Sequence, residues 1–406
     1  MATAFLVIIY LAFISLGLPD SLLGTAWPII SKDLTLPLSA AGAISMVIAG
    51  GTIVSSLTSR FLIERFGTGF LAFISCVLTA GALLGFAFAP SLLWFLLLAV
   101  PLGLGGGAVD VALNNFVAEN YKAHHMNWLH CFWGVGATAG PFIMGMTLAD
   151  SGSWRAGYVV VAVMQFALVI ILFVSIPLWK KVAAQKNNQE LQVEDEALSQ
   201  PYEKNILRLR GIKPSLASFM FCAGTEATVG LWGASYLVFA RGVSVENAAL
   251  LISLYYGGIT IGRFVTGFIS FKVSNRILIL AGQVCAIVGV VFLLDPISPS
   301  ISIVGLLIIG LGLAPIYPGL LHETPRRFGK RNSARLMGYQ MAVAYTGSTF
   351  FPPLFGLLAD WTTLALLPFI ILVFLTSMLV CSEIVVRGLR VQKKARNEAK
   401  PPTNIE

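Results

Sequence analysis

The chain is one design used twice. Sliding its second half back by 206 to 211 positions brings landmarks into register. Asp20-x-x-x-Gly24 meets Glu226-x-x-x-Gly230, and Gly50-Gly51 followed by Arg65 meets Gly257-Gly258 followed by Lys272. Gly103-Leu104-Gly105 meets Gly310-Leu311-Gly312. Gly136, Pro141, Gly145 and Ala149-Asp150 meet Gly347, Pro352, Gly356 and Ala359-Asp360 with one residue deleted. A repeat of this length must fold into two similar units about a pseudo-two-fold axis, an arrangement that leaves a site between the units which both can rock about.

Both copies are strongly apolar. Hydrophobic residues make up 57% of the chain and charged residues 11%, against roughly 25% charged in an ordinary soluble domain. Lipid is the solvent that accepts such a surface, and a helix needs about 20 apolar residues in a row to span it. Twelve segments qualify, near 4–30, 38–60, 68–89, 92–118, 126–150, 155–179, 213–241, 245–270, 275–294, 299–321, 334–359 and 362–387. The first has no basic stretch ahead of it and no cleavage site within it, so it reads as a retained helix. The expected fold is an all-α integral membrane protein: twelve transmembrane helices in two six-helix bundles, 1–180 and 213–390. A polar cytoplasmic linker (181–212) with a short surface helix near 200–210 joins them, and a disordered tail (391–406) follows.

The net charge of +8 sets orientation and is not a nucleic-acid footprint. If the N-terminus is cytoplasmic, the inner loops carry Arg60, Arg65, Lys122, Lys272, Arg276, Arg326, Arg327, Lys330, Arg331 and Arg335. Seven more bases lie between Lys180 and Lys213 and six between Arg387 and Lys400, whereas the outer set holds only Lys32, Arg155 and Arg241. That bias places both termini in the cytoplasm and predicts a multi-pass plasma-membrane protein, expected as a monomer. The five cysteines are scattered through apolar segments at no metal-ligand spacing. Gly103-Leu104-Gly105-Gly106-Gly107-Ala108 matches a dinucleotide pattern formally, but an apolar helix, not a strand and turn, surrounds it. Glycine pairs at four-residue spacing (Gly81/Gly85, Gly103/Gly107, Gly136/Gly140, Gly258/Gly262) instead suit close helix packing in lipid. No cofactor is implied.

An ionisable side chain inside a membrane helix costs about 2.5–3.5 kcal/mol on insertion scales, so each one is a candidate for function. Asp20, Asp110 and Glu226 qualify, on the first, fourth and seventh segments. Desolvation favours the neutral form of a carboxyl. An acid exposed to each side in turn can therefore take a proton from one and release it to the other. The alternative role for each is a neutral or Arg-paired group holding helices together. Asn114 and Asn115 near Asp110, with Asn127 and His130 on the fifth segment, form a second polar group; Asp110 and Asn114 share a helical face. These amides, with Trp133, Tyr236, Tyr256, Tyr317 and Gln340, are candidate ligands for a hydroxyl-rich solute, against the alternative of ordinary packing. His124 and His125 read as solvated residues of an inner loop. Arg60, Arg65 and Arg263 either snorkel to the inner surface or latch the bundles as gating groups.

Together these features resemble the Major Facilitator Superfamily over essentially the full length: six plus six helices, a central linker, and basic loops after helices two and eight. Its loop signature survives here as Thr58-Ser59-Arg60-Phe61-Leu62-Ile63-Glu64-Arg65-Phe66-Gly67, which lacks the Asp. Asn127-Trp128-Leu129-His130-Cys131-Phe132-Trp133-Gly134-Val135-Gly136-Ala137-Thr138-Ala139-Gly140-Pro141 looks like the fifth helix of the fucose-permease-like group, and Gly312-Leu313-Ala314-Pro315-Ile316-Tyr317-Pro318 like its tenth. That group consists mostly of sugar:proton symporters, and its fourth-helix acid falls on Asp110. Its first-helix acid falls instead on Gly24, one turn from Asp20, and a sugar-contacting Asn falls on Trp133. The resemblance thus implies the group and not fucose as the solute.

The expected function is secondary transport by alternating access, coupling protons to a small polar solute such as a sugar or polyol as a symporter. A proton-coupled drug or metabolite exporter of the same fold is the first alternative, since buried carboxylates serve either direction. A membrane receptor lacks a soluble domain to report a signal, and a membrane enzyme lacks a nucleophile–base pair or a ligand cluster.

Overall fold

The structure, a computed structural model, describes residues 2–121, 123–184, 209, 211–294 and 299–398. Those residues are helical except in short turns, and no strand occurs among them. The first half comprises α1 (Ala2–Asp20), α2 (Leu22–Asp33), α3 (Ala40–Phe66), α4 (Thr68–Ala87), α5 (Leu92–Asn120), α6 (Ala123–Ser151) and α7 (Trp154–Ala184). The second comprises α8 (Ile212–Arg241), α9 (Val245–Ile269), α10 (Asn275–Leu294), α11 (Pro299–Leu313), α12 (Ile316–Phe328), α13 (Lys330–Trp361) and α14 (Leu367–Glu398).

Two of the twelve expected spans are broken helices. The first divides into α1 and α2 at Ser21 and the tenth into α11 and α12 at Ala314-Pro315. At the second break Pro315 supplies no N–H to the helical ladder and its ring crowds the preceding turn. Pro19 lies inside α1, and the Ser15 carbonyl that its missing N–H leaves free accepts from Gln165 instead. Eleven spans among the described residues are long and apolar enough to cross a membrane. The twelfth, α8, is more polar but has 30 residues, about 45 Å at the helical rise, and its Ser218, Thr225, Thr228 and Ser235 are buried in protein. The helix α14 continues to Glu398, beyond the boundary at 390 where a disordered tail was expected. The surface helix expected near 200–210 and the linker's charged run lie outside the described residues.

Glycines set the packing inside each bundle. A Cβ on Gly103 or Gly107 of α5 would strike the α3 backbone at Ile48 or Thr52. On Gly258 or Gly262 of α9 it would strike Leu307, Leu311 or Ala314 of α11 or the turn that follows it. Small residues one turn apart thus let these helix pairs approach to backbone contact. Gly81 is the exception, with open space beside it.

The bundles are joined at one end and separate at the other. One hydrophobic core runs through both, from Leu22, Trp27 and Ile44 to Trp232, Tyr255 and Phe355. Toward the opposite end smaller cores replace it: Phe5, Phe13, Phe116, Leu129 and Trp179, and separately Leu71, Ala108 and Ala112, belong to the first bundle, and Ile212, Phe328, Leu336 and Val385 to the second. The joined end carries the α2–α3 connection. There Gly24 lies against the backbone of Gly230 and Leu231, and Gly42 against Pro353. The Ser39 backbone N–H donates to Asp360 Oδ2 at 3.2 Å, and Ser253 donates to the Thr138 carbonyl at 2.8 Å. Further along, α6 and α9 stay together through Thr138–Thr260 at 3.3 Å and Trp128–Phe264 at 5.8 Å.

Candidate functional site

The space between the bundles ends where Gly24 meets Gly230, and the repeat-related acids lie one turn short of that closure. Asp20 ends α1 at the break, where the chain leaves one helix to start another, and its side chain is exposed. Trp133 of α6 donates its indole N–H to Asp20 Oδ2 at 2.9 Å. The same ring carries the Arg263 guanidinium, 5.2 Å from its centroid, within cation–π range. Arg263 of α9 in turn reaches Glu226 Oε2 of α8 at 3.5 Å. One chain of contacts, Asp20–Trp133–Arg263–Glu226, therefore crosses from the first bundle to the second.

Other groups surround this chain. Asn114 donates to both the carbonyl and Oδ1 of Asp110, each at 2.9 Å, which their four-residue spacing on α5 allows. Asp20 lies within electrostatic reach of Asp110 and Glu226. Tyr317 of α12 and Tyr345 of α13 sense the same acids from the second bundle. Tyr256 is buried with its hydroxyl where a Cβ on Gly230 would sit, so that glycine admits the ring beside the closure. His130 is exposed, edge-on to Phe13 at 6.0 Å, and feels the Arg263 charge. Asn115 is exposed on α5.

Several expected site residues lie elsewhere. Tyr236 is buried inside the second bundle and donates to the Leu293 carbonyl at 2.9 Å. Gln340 is fully buried between helices, accepting from Thr324 at 3.0 Å and donating to Ser215 at 3.4 Å. Both tie helices of one bundle together and are removed from the ligand set. Arg60 is 91% exposed and pairs with Glu64 of its own helix, while Arg65 lies over the neighbouring Phe66; neither bridges the bundles. Arg263 does bridge them, and does not snorkel. The side chain of Asn127 lies outside the described residues. His125 is not a solvated loop residue: α6 has already begun, and its Nδ1 lies 2.8 Å from the Tyr10 hydroxyl.

The sequence reading passed over three buried polar groups. Gln165 of α7 accepts from Thr79 at 2.8 Å and donates to the Ser15 carbonyl at 2.7 Å, joining three helices. Gln283 donates to Ser382 at 2.9 Å. Glu323 of α12 pairs with Arg327 at 3.5 Å, both only 9% exposed. The available signal was a lone amide or charge within or beside an apolar run.

Two broken-helix bundles that close on a central, charged and partly accessible site define a polytopic membrane carrier. The sequence matches the family described as Major Facilitator Superfamily over residues 9–352, and again over 215–404. The chain belongs to this family of membrane transporters. It is 26% identical over 232 residues to the glucose/mannose transporter GlcP of Bacillus subtilis (strain 168), a match covering 55% of this chain and 56% of that protein. It is 24% identical to the hexuronate transporter of the same organism over 379 residues, 87% of each chain. A crystal structure of a D-xylose–proton symporter superposes with a TM-score of 0.70 at 15% identity, covering 95% of this chain and 98% of that one.

Proposed function

We propose that the protein is a proton-coupled symporter that carries a small polar solute, a sugar or polyol, across the plasma membrane by alternating access. The observation that carries this reading is the contact chain Asp20–Trp133–Arg263–Glu226 at the closed end of the inter-bundle space. Acids contributed by both bundles meet where rocking must change their surroundings. A proton taken up there alters charge on both sides of the moving interface, which is what coupling requires. The names of similar proteins support the solute class, since they transport glucose or mannose, hexuronate, and D-xylose with a proton.

In this reading both termini are cytoplasmic, so the cavity opens inward and Gly24–Gly230 closes the outer side. Asp20, Asp110 and Glu226 exchange the proton, while Asn114, Asn115, His130, Trp133, Tyr256 and Tyr317 contact the solute. Arg263 acts between bundles, and the transporter works as a monomer. The fifth-helix run Asn127 to Pro141 supports placement in the fucose-permease-like group. The exporter alternative draws on the aromatic groups around the site, Trp128, Trp133, Tyr317 and Tyr345.

Proteoliposomes loaded with a pH dye separate the two. Adding a panel of sugars and polyols outside is expected to acidify the lumen for at least one of them, and Asp110→Asn to abolish the signal. Alkalinisation of acid-loaded vesicles on adding a cationic drug, also lost in Asp110→Asn, would establish antiport and overturn the import reading.

A further inference from the structure

Arg263 carries a full positive charge in the middle of the protein, and its partnership is incomplete. A guanidinium has five N–H donors in a planar fork. Among the described residues the only acceptor within reach is Glu226 Oε2, in a single contact of 3.5 Å. Charge-assisted N–H···O bonds are normally about 2.7–2.9 Å, and Arg–carboxylate pairs are frequently bidentate. Trp133 covers one face of the guanidinium but accepts none of its hydrogens. Both ionic groups remain partly accessible, 17% for Arg263 and 20% for Glu226. The pair is loose and reachable, with a fork of donors to spare. Asp20 and the Asp110–Asn114 pair supply hydroxyl acceptors and an amide nearby.

We propose that Arg263 is the anchor for a carboxylate carried by the solute, which takes the place of Glu226 on the guanidinium. The solute class is a hydroxylated acid such as a uronate: a polyol body against the amides and acids, a carboxylate in the Arg263 fork. The inference deepens the symport reading and rests on it. Charge balance then dictates the coupling. Displaced from Arg263, Glu226 would be an unpaired carboxylate in a poorly solvated site, which is strongly unfavourable. It therefore takes a proton from the aqueous phase that the cavity faces, forming one O–H bond. Arg263⁺ with Glu226⁻ becomes Arg263⁺ with the solute carboxylate, and Glu226 is neutral. The charge of the occupied site equals that of the empty one, and one proton accompanies one carboxylate.

Other titratable groups face this pair, and the test must separate them from Glu226. Asp20 on α1 and Asp110 on α5 are acids in the same space, and His130 and Cys131 of α6 feel the Arg263 charge. Cys222 on α8, Tyr255 and Tyr256 on α9, and Tyr317 on α12 feel Glu226. All are unchanged in Glu226→Gln, so a difference between that variant and the wild type isolates the one proton.

Uptake of sodium D-glucuronate and of D-glucose, which differ at one terminal carbon, is measured in proteoliposomes from pH 5.5 to 8. The expected result is glucuronate uptake with a half-saturation concentration that falls as pH is lowered, by up to about tenfold per unit for each linked proton. Glu226→Gln should shed one proton's worth of that dependence and bind glucuronate several-fold more tightly at pH 7.5. Arg263→Gln should lose glucuronate uptake by about 30-fold or more, the scale of a charged hydrogen bond, and Arg263→Lys should restore only part of it. Parallel pH dependence in Glu226→Gln and wild type, or glucose transported as well as glucuronate and unaffected by Arg263→Gln, would overturn the proposal while leaving proton symport standing. Failure of both sugars to move protons, with protons moving outward against a cationic drug instead, would overturn both.

Discussion

Gly24 of the first bundle lies against Gly230 of the second, and the two are repeat mates. A Cβ on Gly24 would fall among the Gly230 carbonyl and the Leu231 backbone. The motif acid-x-x-x-Gly, read twice in the sequence, thus folds so that its glycines close one end of the inter-bundle space. Its acids, Asp20 and Glu226, sit one turn inside the closure.

This closure should be sensitive to one side chain. Gly24→Val would overpack the contact, at a cost of about 1–3 kcal/mol by analogy with core insertions. The closed end should therefore open more often. Thiol labelling of Ser39→Cys from the α2–α3 side is expected to rise several-fold in the Gly24→Val background, with solute transport falling. Unchanged labelling would show that Gly24–Gly230 does not hold this end shut.

The Ser39–Asp360 contact is a second, weaker tie across the same end, formed by a backbone N–H and a carboxylate. Asp360→Ala removes the acceptor, and an exposed bond of this kind contributes about 0.5–1.5 kcal/mol. Pulsed electron–electron resonance between spin labels at Thr35 and Thr363 should show a longer-distance population growing two- to tenfold by that arithmetic. An unaltered distance distribution would assign the contact to packing alone.

Gln165 should act on stability and not on solute choice, because its amide is spent within the first bundle on Thr79 and Ser15. Intramembrane hydrogen bonds average about 0.6 kcal/mol each and reach about 1.7 kcal/mol. Gln165→Leu is expected to lower the melting temperature in detergent by a few degrees and to leave the order of preference among solutes unchanged. A reordered preference would place Gln165 in the site.

Glu323 and Arg327 bury opposite charges beside the α12–α13 turn. Removing Glu323 leaves the buried Arg327 uncompensated, a loss of about 3–5 kcal/mol for a buried pair, whereas removing both costs far less, because Arg326, which also reaches Glu323 at 3.5 Å, is 76% exposed. Glu323→Gln should therefore lower thermal stability more than the double variant Glu323→Gln/Arg327→Gln. Equal losses would mean that solvent already screens the pair.

Much of this architecture was legible in the sequence because lipid imposes simple demands. Segment length, the repeat, and the scarcity of internal charge followed from the cost of exposing polar groups to hydrocarbon, and they located Asp20, Asp110 and Glu226. Helix rotation was not legible. A helix that is apolar all round carries no amphipathic stripe, so nothing in the sequence said that Tyr236 and Gln340 turn into a bundle core or that Tyr345 senses the acids of the central space. The partner of Arg263 was equally hidden, since the 37 positions separating it from Glu226 are closed only by the packing of α8 on α9. Pro315 could have announced the break at Ala314-Pro315, but prolines inside membrane helices, Pro19 among them, are common enough that a break was not separable from a continuous span.

The central claim is that acids from both bundles carry the coupling proton. Solute counterflow and solute-driven proton uptake, measured on the same proteoliposomes for wild type, Asp20→Asn, Asp110→Asn and Glu226→Gln, test it most directly. Counterflow needs binding and rocking but no net proton movement, so it should survive in at least one of the three while proton uptake is lost. Proton uptake that persists at the wild-type ratio in all three variants would contradict the account.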